Sequence, residues 1–208
     1  MSDARVRDAY AARSAEYIGL FGTIEAAAEQ DRECVLAWAR TVTGRIIDVG
    51  CGPGQWTNFL HQHGVEIEGV DPVPEFIEEA WRRYSAVDYR LGDADRLDVK
   101  DASIGGILAW YSLIHTAPHQ VGTALTEFAR CIRPGGGLLI GFFEGAELVP
   151  FDHAVTTAWF WPAGELSARV EQAGFVVTDI RRRTDPGMRA QGTIVALRGR
   201  ASGFPTAR

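Results

Sequence analysis

The twelve residues Arg45-Ile46-Ile47-Asp48-Val49-Gly50-Cys51-Gly52-Pro53-Gly54-Gln55-Trp56 constrain the fold more than any other stretch. Ile46, Ile47 and Val49 form a short apolar run rich in β-branched side chains. It reads as a buried strand of a parallel sheet. Three glycines follow at alternate positions, and a helical pattern runs from Gln55 to about His61. Strand, glycine turn and helix in that order form the entry to a nucleotide-type crevice. Without a Cβ the backbone turns sharply and can lie against a ligand. The helix start behind the turn leaves N–H groups free for ligand oxygens.

The details of the turn narrow the ligand. Gln55 stands where the dinucleotide fingerprint wants its third glycine. No Gly-Lys-Ser/Thr ending is present, and Lys100 is the sole lysine, so the loop is poorly equipped for phosphate. The second half of the signal is Val65-Glu66-Ile67-Glu68-Gly69-Val70-Asp71, an alternating strand that ends in an acid. Its spacing, about 20 residues on, is that of a ribose-binding carboxylate.

Ile47-Asp48-Val49-Gly50-Cys51-Gly52-Pro53-Gly54 resembles motif I of the class I S-adenosylmethionine-dependent methyltransferases. Three further blocks match in order. Gly69-Val70-Asp71 resembles the ribose-binding motif, and Gly92-Asp93-Ala94 the adenine-contacting turn. Arg133-Pro134-Gly135-Gly136-Gly137-Leu138-Leu139-Ile140 resembles the strand that follows. The resemblance runs from about Arg45 to the C-terminal strands. It implies a three-layer Rossmann-like α/β fold: a mostly parallel sheet with an antiparallel C-terminal strand and helices on both faces. It also implies S-adenosylmethionine as cofactor and a small-molecule acceptor methylated at O or N. The implied organisation is one domain over 1–208, with an N-terminal helical cap over 1–44 and a sheet core over 45–200.

The 208 residues suit one domain with a sizeable core. A net charge of −6 argues against nucleic acid as the main partner. Arg181-Arg182-Arg183, the best basic patch, reads first as a solvated strand end. The three cysteines, Cys34, Cys51 and Cys131, lack paired or metal-like spacing and fit a reducing compartment. Neither a signal peptide nor a membrane span is visible, and a cytoplasmic monomer or homodimer is expected.

Along the chain, helices are expected over Asp3–Leu20 and about Ile24–Ala39, with Ala26, Val35 and Trp38 candidates for burial. Strands are expected at Arg45–Val49, Glu66–Val70, Val87–Leu91, Ile104–Tyr111 and Gly137–Phe143. Helices are expected from Asp71-Pro72-Val73-Pro74 through Tyr84, from Pro118 through Ile132, and over Glu165–Gln172. Phe175–Arg183 and Gly192–Arg198, joined by Asp185-Pro186-Gly187, must pair antiparallel, since no crossover helix fits between them.

On the resemblance, the cofactor site takes in Tyr17, Asp48, Gly50, Cys51, Gly52, Gly54, Trp56, Asp71, Pro72, Asp93, Ala94, Trp110 and Tyr111. Asp48 faces the cofactor's amino group or holds the loop amides. Cys51 is a small packed residue rather than a nucleophile. Asp71 meets the ribose, with helix capping as the competing role, and Asp93 meets the adenine amino group or forms a turn. Tyr10, Arg13 and Tyr17 reach the methionine carboxylate or simply pack. Trp110-Tyr111-Ser112-Leu113-Ile114-His115 leaves the fourth strand where ligands sit. It departs from the Asn/Asp-Pro-Pro-Tyr pattern of enzymes that methylate nucleic-acid amines. His115 is the first candidate base, with helix capping as its alternative. Tyr111 and His153 complete the catalytic candidates, and Trp159, Phe160 and Trp161 either wall the acceptor pocket or pack in the core. His61 and His63 look like surface residues, and no metal site is expected. The rivals are a nicotinamide-dependent oxidoreductase, disfavoured by Gln55 and the C-terminal hairpin, and a non-catalytic S-adenosylmethionine-binding module or regulatory subunit.

Overall fold

The structure, a computed structural model, describes residues 4–199. Its centre is the strand foreseen at the glycine turn, β1 (Ile46–Val49), buried along its whole length. β2 (Ile67–Asp71) and β4 (Ile104–Trp110) flank it in parallel, with Asp48 opposite Gly69 on one side and Leu108 on the other. β3 (Asp88–Leu91) extends the sheet beyond β2, and β5 (Ile132–Glu144) beyond β4. This parallel part has the order β3-β2-β1-β4-β5. The order reverses at β1, and a crevice opens there at the carboxyl ends of the strands.

The far edge of β5 carries the antiparallel end of the sheet. β9 (Gln191–Arg198) pairs with β5 from Gly137 to Phe143, and β8 (Phe175–Arg183) pairs antiparallel with β9. The hairpin expected from Asp185-Pro186-Gly187 is therefore present. A second hairpin was not foreseen: β6 (Val149–Phe151) and β7 (Ala158–Trp161), with β7 parallel to the last residues of β5. At three and four residues these strands are too short to show a period in sequence.

Helices cover the sheet through their apolar stripes. α4 (Gln55–Gln62), α5 (Pro74–Arg83, with proline in its first turn), α6 (Val121–Cys131) and α7 (Ala163–Gln172) bury Leu60, Ile77, Leu125, Phe128 and Val170. Each such side chain contributes about 1.5–3 kcal/mol by leaving water. Phe76, Ile77 and Ala80 are the buried residues of α5, whereas Trp81, at the same helical spacing in sequence, is 53% exposed. α6 starts three residues after Pro118, and β5 starts before Gly137 through a register shift against β4.

The N-terminal segment departs most from the sequence reading. The first helix is two, α1 (Ala4–Ala12) and α2 (Ser14–Phe21), broken at Arg13, whose φ of −118° and ψ of 16° are not helical. No glycine or proline marks that break. The second becomes a 3₁₀ turn at Ile24–Ala26 followed by α3 (Glu29–Ala39). Ala26 is exposed, whereas Val35 and Trp38 are buried as expected.

Gly54 shows what the glycine turn requires of its last residue. Its φ is +84°, and an added Cβ would lie 2.8 Å from the Tyr89 ring and 2.9 Å from Ala80 Cβ. Gly54→Ala should destabilise the protein by about 1–3 kcal/mol in urea unfolding, from left-handed strain and overpacking. Gly122→Ala, on α6 where a Cβ meets nothing within 4 Å, should instead stabilise by about 0.5–1 kcal/mol.

Candidate functional site

A cavity of about 1400 Å³ opens over the carboxyl ends of β1, β2 and β4. Pockets for one small molecule run to about 1,000 Å³ at most, so this one has room for two ligands. The first lobe is the glycine turn. Gly50 N–H and Cys51 N–H both donate to the Val70 carbonyl, at 2.7 and 3.1 Å, and Gly54 N–H donates to the Cys51 carbonyl. Gly52 N–H donates to Asp71 Oδ2 at 2.9 Å. With Pro53 lacking an N–H, every amide of the turn is used internally. The loop is a rigid wall rather than a phosphate cradle, as the absence of a Lys-Ser/Thr ending led us to expect.

Asp71 is 5% exposed and also accepts from Val73 N–H, through Oδ1 at 2.9 Å, at the entry to α5. It therefore ties the turn to the approach to α5 but does not cap that helix, whose N-cap is Val73 with no side-chain cap bond, which corrects the competing role. Burial outweighs these two bonds and pushes its pKa up to about 6. Asp48, 2% exposed, accepts from the Thr57 hydroxyl at 2.7 Å rather than from loop amides, which corrects the alternative role foreseen for it. Burial raises its pKa to about 7.

Of the expected cofactor residues, Tyr17, Asp48, Gly50, Cys51, Gly52, Trp56, Asp71, Pro72, Ala94, Trp110 and Tyr111 line the cavity. Gly54 and Asp93 do not. Gly54 faces Tyr89 and Ala80, and Asp93 bridges to Arg96 in a turn while Asp95 takes the place at the wall. Cys51 is buried, and burial holds its thiol well above the usual range, so it packs rather than reacts.

Two buried polar atoms of the lobe have no partner among the described residues, Gln55 Oε1 and Ser112 Oγ. Both residues line the cavity, and Ser112 stands where a side chain at Gly50 would otherwise lie. Unpaired buried acceptors and hydroxyls are costly unless a ligand meets them. These two residues escaped the sequence reading. Gln55 was weighed only as a missing glycine, and Ser112 only as part of a run.

The roof of this lobe comes from the N-terminal helices. Tyr10 and Tyr17 meet edge to face at 5.5 Å, and both pack on Phe76 of α5. Arg13 is held by Glu16 through two bonds of 2.9 and 2.8 Å.

The second lobe lies beyond β4. Tyr111 has a φ of +57°, a left-handed conformation that costs a bulky residue about 1–3 kcal/mol. The kink sets its ring against Trp110 and Phe143, at 5.3 and 5.2 Å. His115 does not cap a helix. Its Nδ1 donates to the Thr157 carbonyl at 2.8 Å, which leaves Nε2 to accept from the Tyr10 hydroxyl at 2.9 Å. Burial pushes the imidazole below its usual pKa. His153, in the β6–β7 loop, lies 5.0 Å from the His115 ring and is pushed down to about 4, first by burial and then by His115, Arg189 and Arg13. Trp159, Phe160 and Trp161 do not line the cavity; they pack against the core or on Phe151. His61 and His63 are exposed. Among the described residues no three His, Cys, Asp or Glu groups gather as a metal site, and no helix is long and apolar enough to cross a membrane.

A switch-point crevice with a carboxylate at the end of β2 and room for two ligands defines a Rossmann-like nucleotide-type site. Residues 46–136 match the family model described as a methyltransferase domain. O-methyltransferase rstn1 of Aspergillus nomiae is 34% identical over 177 residues, covering 76% of this chain and 78% of that protein. O-methyltransferase resE of Aspergillus sclerotiorum is 36% identical over 126 residues, 57% of this chain and 47% of that one. The chain spans about half the length of several curated relatives it matches. Among solved structures, the 1,6-didemethyltoxoflavin-N1-methyltransferase of Burkholderia thailandensis superposes with a TM-score of 0.79 at 22% identity, over 95% of this chain and 88% of that one. The chain belongs to the class I S-adenosylmethionine-dependent methyltransferase family, and its cofactor is S-adenosylmethionine.

Burial of the two carboxylates makes a signed prediction. Their folded pKa values lie above the usual carboxylate value of 3.8, so between about pH 4 and 7 the folded state binds more protons than the unfolded. Each contributes a loss of stability as pH rises through that window, at most about 1.4 kcal/mol per pH unit. His153, pushed down, acts with the opposite sign between about pH 4 and 6.5. The carboxylate effect is therefore read as a difference. The stability advantage of Asp48→Asn over wild type in urea should grow from pH 4 to about 7 and then level. A constant difference would show Asp48 already charged at pH 4. Asp71→Ala should unfold at lower urea at every pH, since it strands two buried amides at about 1–3 kcal/mol each.

Proposed function

We propose that the chain transfers a methyl group from S-adenosylmethionine to a hydroxyl or amine of a small molecule. The observation that carries this is the two-lobed cavity, with the donor residues at one end and His115 at the other. The donor supplies a methyl group on a sulfonium, ready for in-line attack. What falls to the protein is placing, dryness and a proton acceptor. Asp71 would hold the ribose hydroxyls, with Gln55 and Ser112 offering their partnerless atoms to the same ligand. Asp48 would stand near the amino group, the Ala94–Asp95 turn would line the adenine, and Tyr17 would roof the methionine end. Trp56, Trp110 and Tyr111 would exclude water between the lobes, which strengthens every polar contact there.

His115 is the base in this reading. Its Nδ1 is pinned by Thr157, so the lone pair on Nε2 has a fixed direction. Tyr10 occupies that lone pair and lines the cavity. The acceptor's proton would pass to Tyr10 Oη as the phenol proton passes to Nε2. Burial holds the Tyr10 phenol above its usual pKa, so the two transfers must occur together. The net acidity and aromatic walls favour a small molecule over a nucleic acid.

Calorimetry should show binding of S-adenosylmethionine and S-adenosylhomocysteine and none of NAD. Tight NAD binding with no response to the other two would sink this function. With an acceptor from a labelled-methyl panel in hand, His115→Ala should lower turnover about 10²–10⁴-fold at unchanged donor affinity. Tyr10→Phe should do the same if the phenol relays the proton. The acidic limb of the wild-type pH–rate profile should fall below pH 6.5, since burial lowers the imidazole pKa, and vanish in His115→Ala. Full turnover in both variants would leave them as packing residues. Donor binding with no turnover across the panel would favour the non-catalytic module.

A further inference from the structure

Four arginines line the cavity: Arg7, Arg13, Arg183 and Arg189. Three are matched by acids. Arg7 has Asp8 at 3.6 Å, Arg13 has Glu16 at 2.8 Å, and Arg183 has Asp31 at 2.7 Å and Asp185 at 2.8 Å. Among the described residues Arg189 has no carboxylate within 4.0 Å. Its guanidinium lies 4.8 Å over the Phe151 ring and makes one long bond, Nη2 to the Asp152 carbonyl at 3.5 Å. The cation–π contact holds the guanidinium against Phe151, and its remaining N–H donors are free for a planar anion. A carboxylate matches that fork with two parallel bonds, which a neutral carbonyl cannot.

The surroundings add shape and sign. His153 lines the cavity with this arginine and His115, whose ring centroid lies 5.0 Å from its own; burial first, and then His115, Arg189 and Arg13, disfavour a positive charge on it. Phe143 packs 5.4 Å from Phe151 and 6.0 Å from His153, and Tyr111 lies 5.2 Å from Phe143. Flat rings set at steep angles to one another leave faces on which another flat ring can lie. Arg189 itself is exposed on the turn between β8 and β9, beside Met188, so it stands at the mouth of the second lobe and not at its floor.

We propose that the second lobe takes an aromatic acid, with its ring against Tyr111, Phe143 and His153 and its carboxylate on the Arg189 guanidinium. This rests on that lobe being the acceptor's, as argued above. The carboxylate is the recognition handle. The group methylated is a hydroxyl or amine elsewhere on the ring system, toward His115.

The test compares charge at constant shape. 2-, 3- and 4-hydroxybenzoate and 1-hydroxy-2-naphthoate are titrated against their primary amides, into protein with and without S-adenosylhomocysteine. At least one acid should bind roughly tenfold tighter than its amide. Arg189→Gln should shrink that gap to about twofold or less without changing affinity for S-adenosylhomocysteine, and Arg189→Lys should keep part of it. Arg182→Gln should leave the gap intact, because Arg182 is exposed, paired with Glu144 and absent from the cavity wall. Acids and amides that bind alike, a gap that survives Arg189→Gln, or no binding by any of the eight compounds would each overturn the proposal. Loss of S-adenosylhomocysteine binding alone would instead strike at the donor reading.

Discussion

The carboxylate of Asp71 is the joint on which the site depends. One oxygen fixes Gly52 in the turn after β1, and the other fixes Val73 at the approach to α5. Two chain segments that leave adjacent strands are thereby held at one spacing. The turn also hangs from the end of β2 through the Val70 carbonyl, which accepts from both Gly50 and Cys51. A ligand arriving here meets a wall whose amides are already spent. It must be recognised by side chains and shape, which suits an uncharged nucleoside better than a phosphate. A wall held by its own hydrogen bonds has little ordering cost on binding.

That rigidity has a cost in charge. Asp48 and Asp71 are both buried, burial favours the protonated form of each, the Asp71 charge adds to this at Asp48, and Gln55 and Ser112 of the same cavity each leave a buried polar atom unpaired among the described residues. The fold tolerates these because the sheet around them is densely apolar. Val49, Val70, Ile107 and Leu125 all belong to one core cluster directly beneath the crevice. The strained backbone at Tyr111 belongs to the same pattern. A left-handed tyrosine persists only where its surroundings over-determine it, here Trp110, Phe143 and the close approach of Gly141.

The donor end was legible in sequence because its residues are nearly contiguous. Strand, turn, helix and acid fall within Ile46–Asp71, and each follows a local rule. The same rules failed where local residue type did not decide the outcome. Arg13 breaks the first helix with no glycine or proline to announce it. Gly54 shares the positive φ of Gly50 and Gly52, but what lies beside it is Tyr89, a residue of β3. Asp93 and Asp95 are equivalent in spacing, and only the turn's bridge to Arg96 sends one to the wall and not the other. Trp159, Phe160 and Trp161 leave a pocket wall and core packing both open in sequence, because three successive large rings carry no period; the structure packs them.

The acceptor end has no such contiguity, and this explains why its chemistry stays hidden in a linear reading. The Tyr10–His115 bond joins residues 105 apart, and the His115–Thr157 bond joins residues 42 apart. His153 and Arg189 come from two separate hairpins grafted on the edge of β5. None of these residues lies on β1, β2 or β4, the strands that hold the donor. The floor of the donor lobe is thus built by the centre of the sheet, while the acceptor lobe draws on its additions, with Tyr10 of α1 and Tyr111 after β4 serving both. Changes in α1, in the β6–β7 loop or in the turn before β9 can alter the acceptor without disturbing the turn that Asp71 holds. A family match centred on residues 46–136 therefore speaks for the donor, and the acceptor must be argued from the side chains that meet across the second lobe.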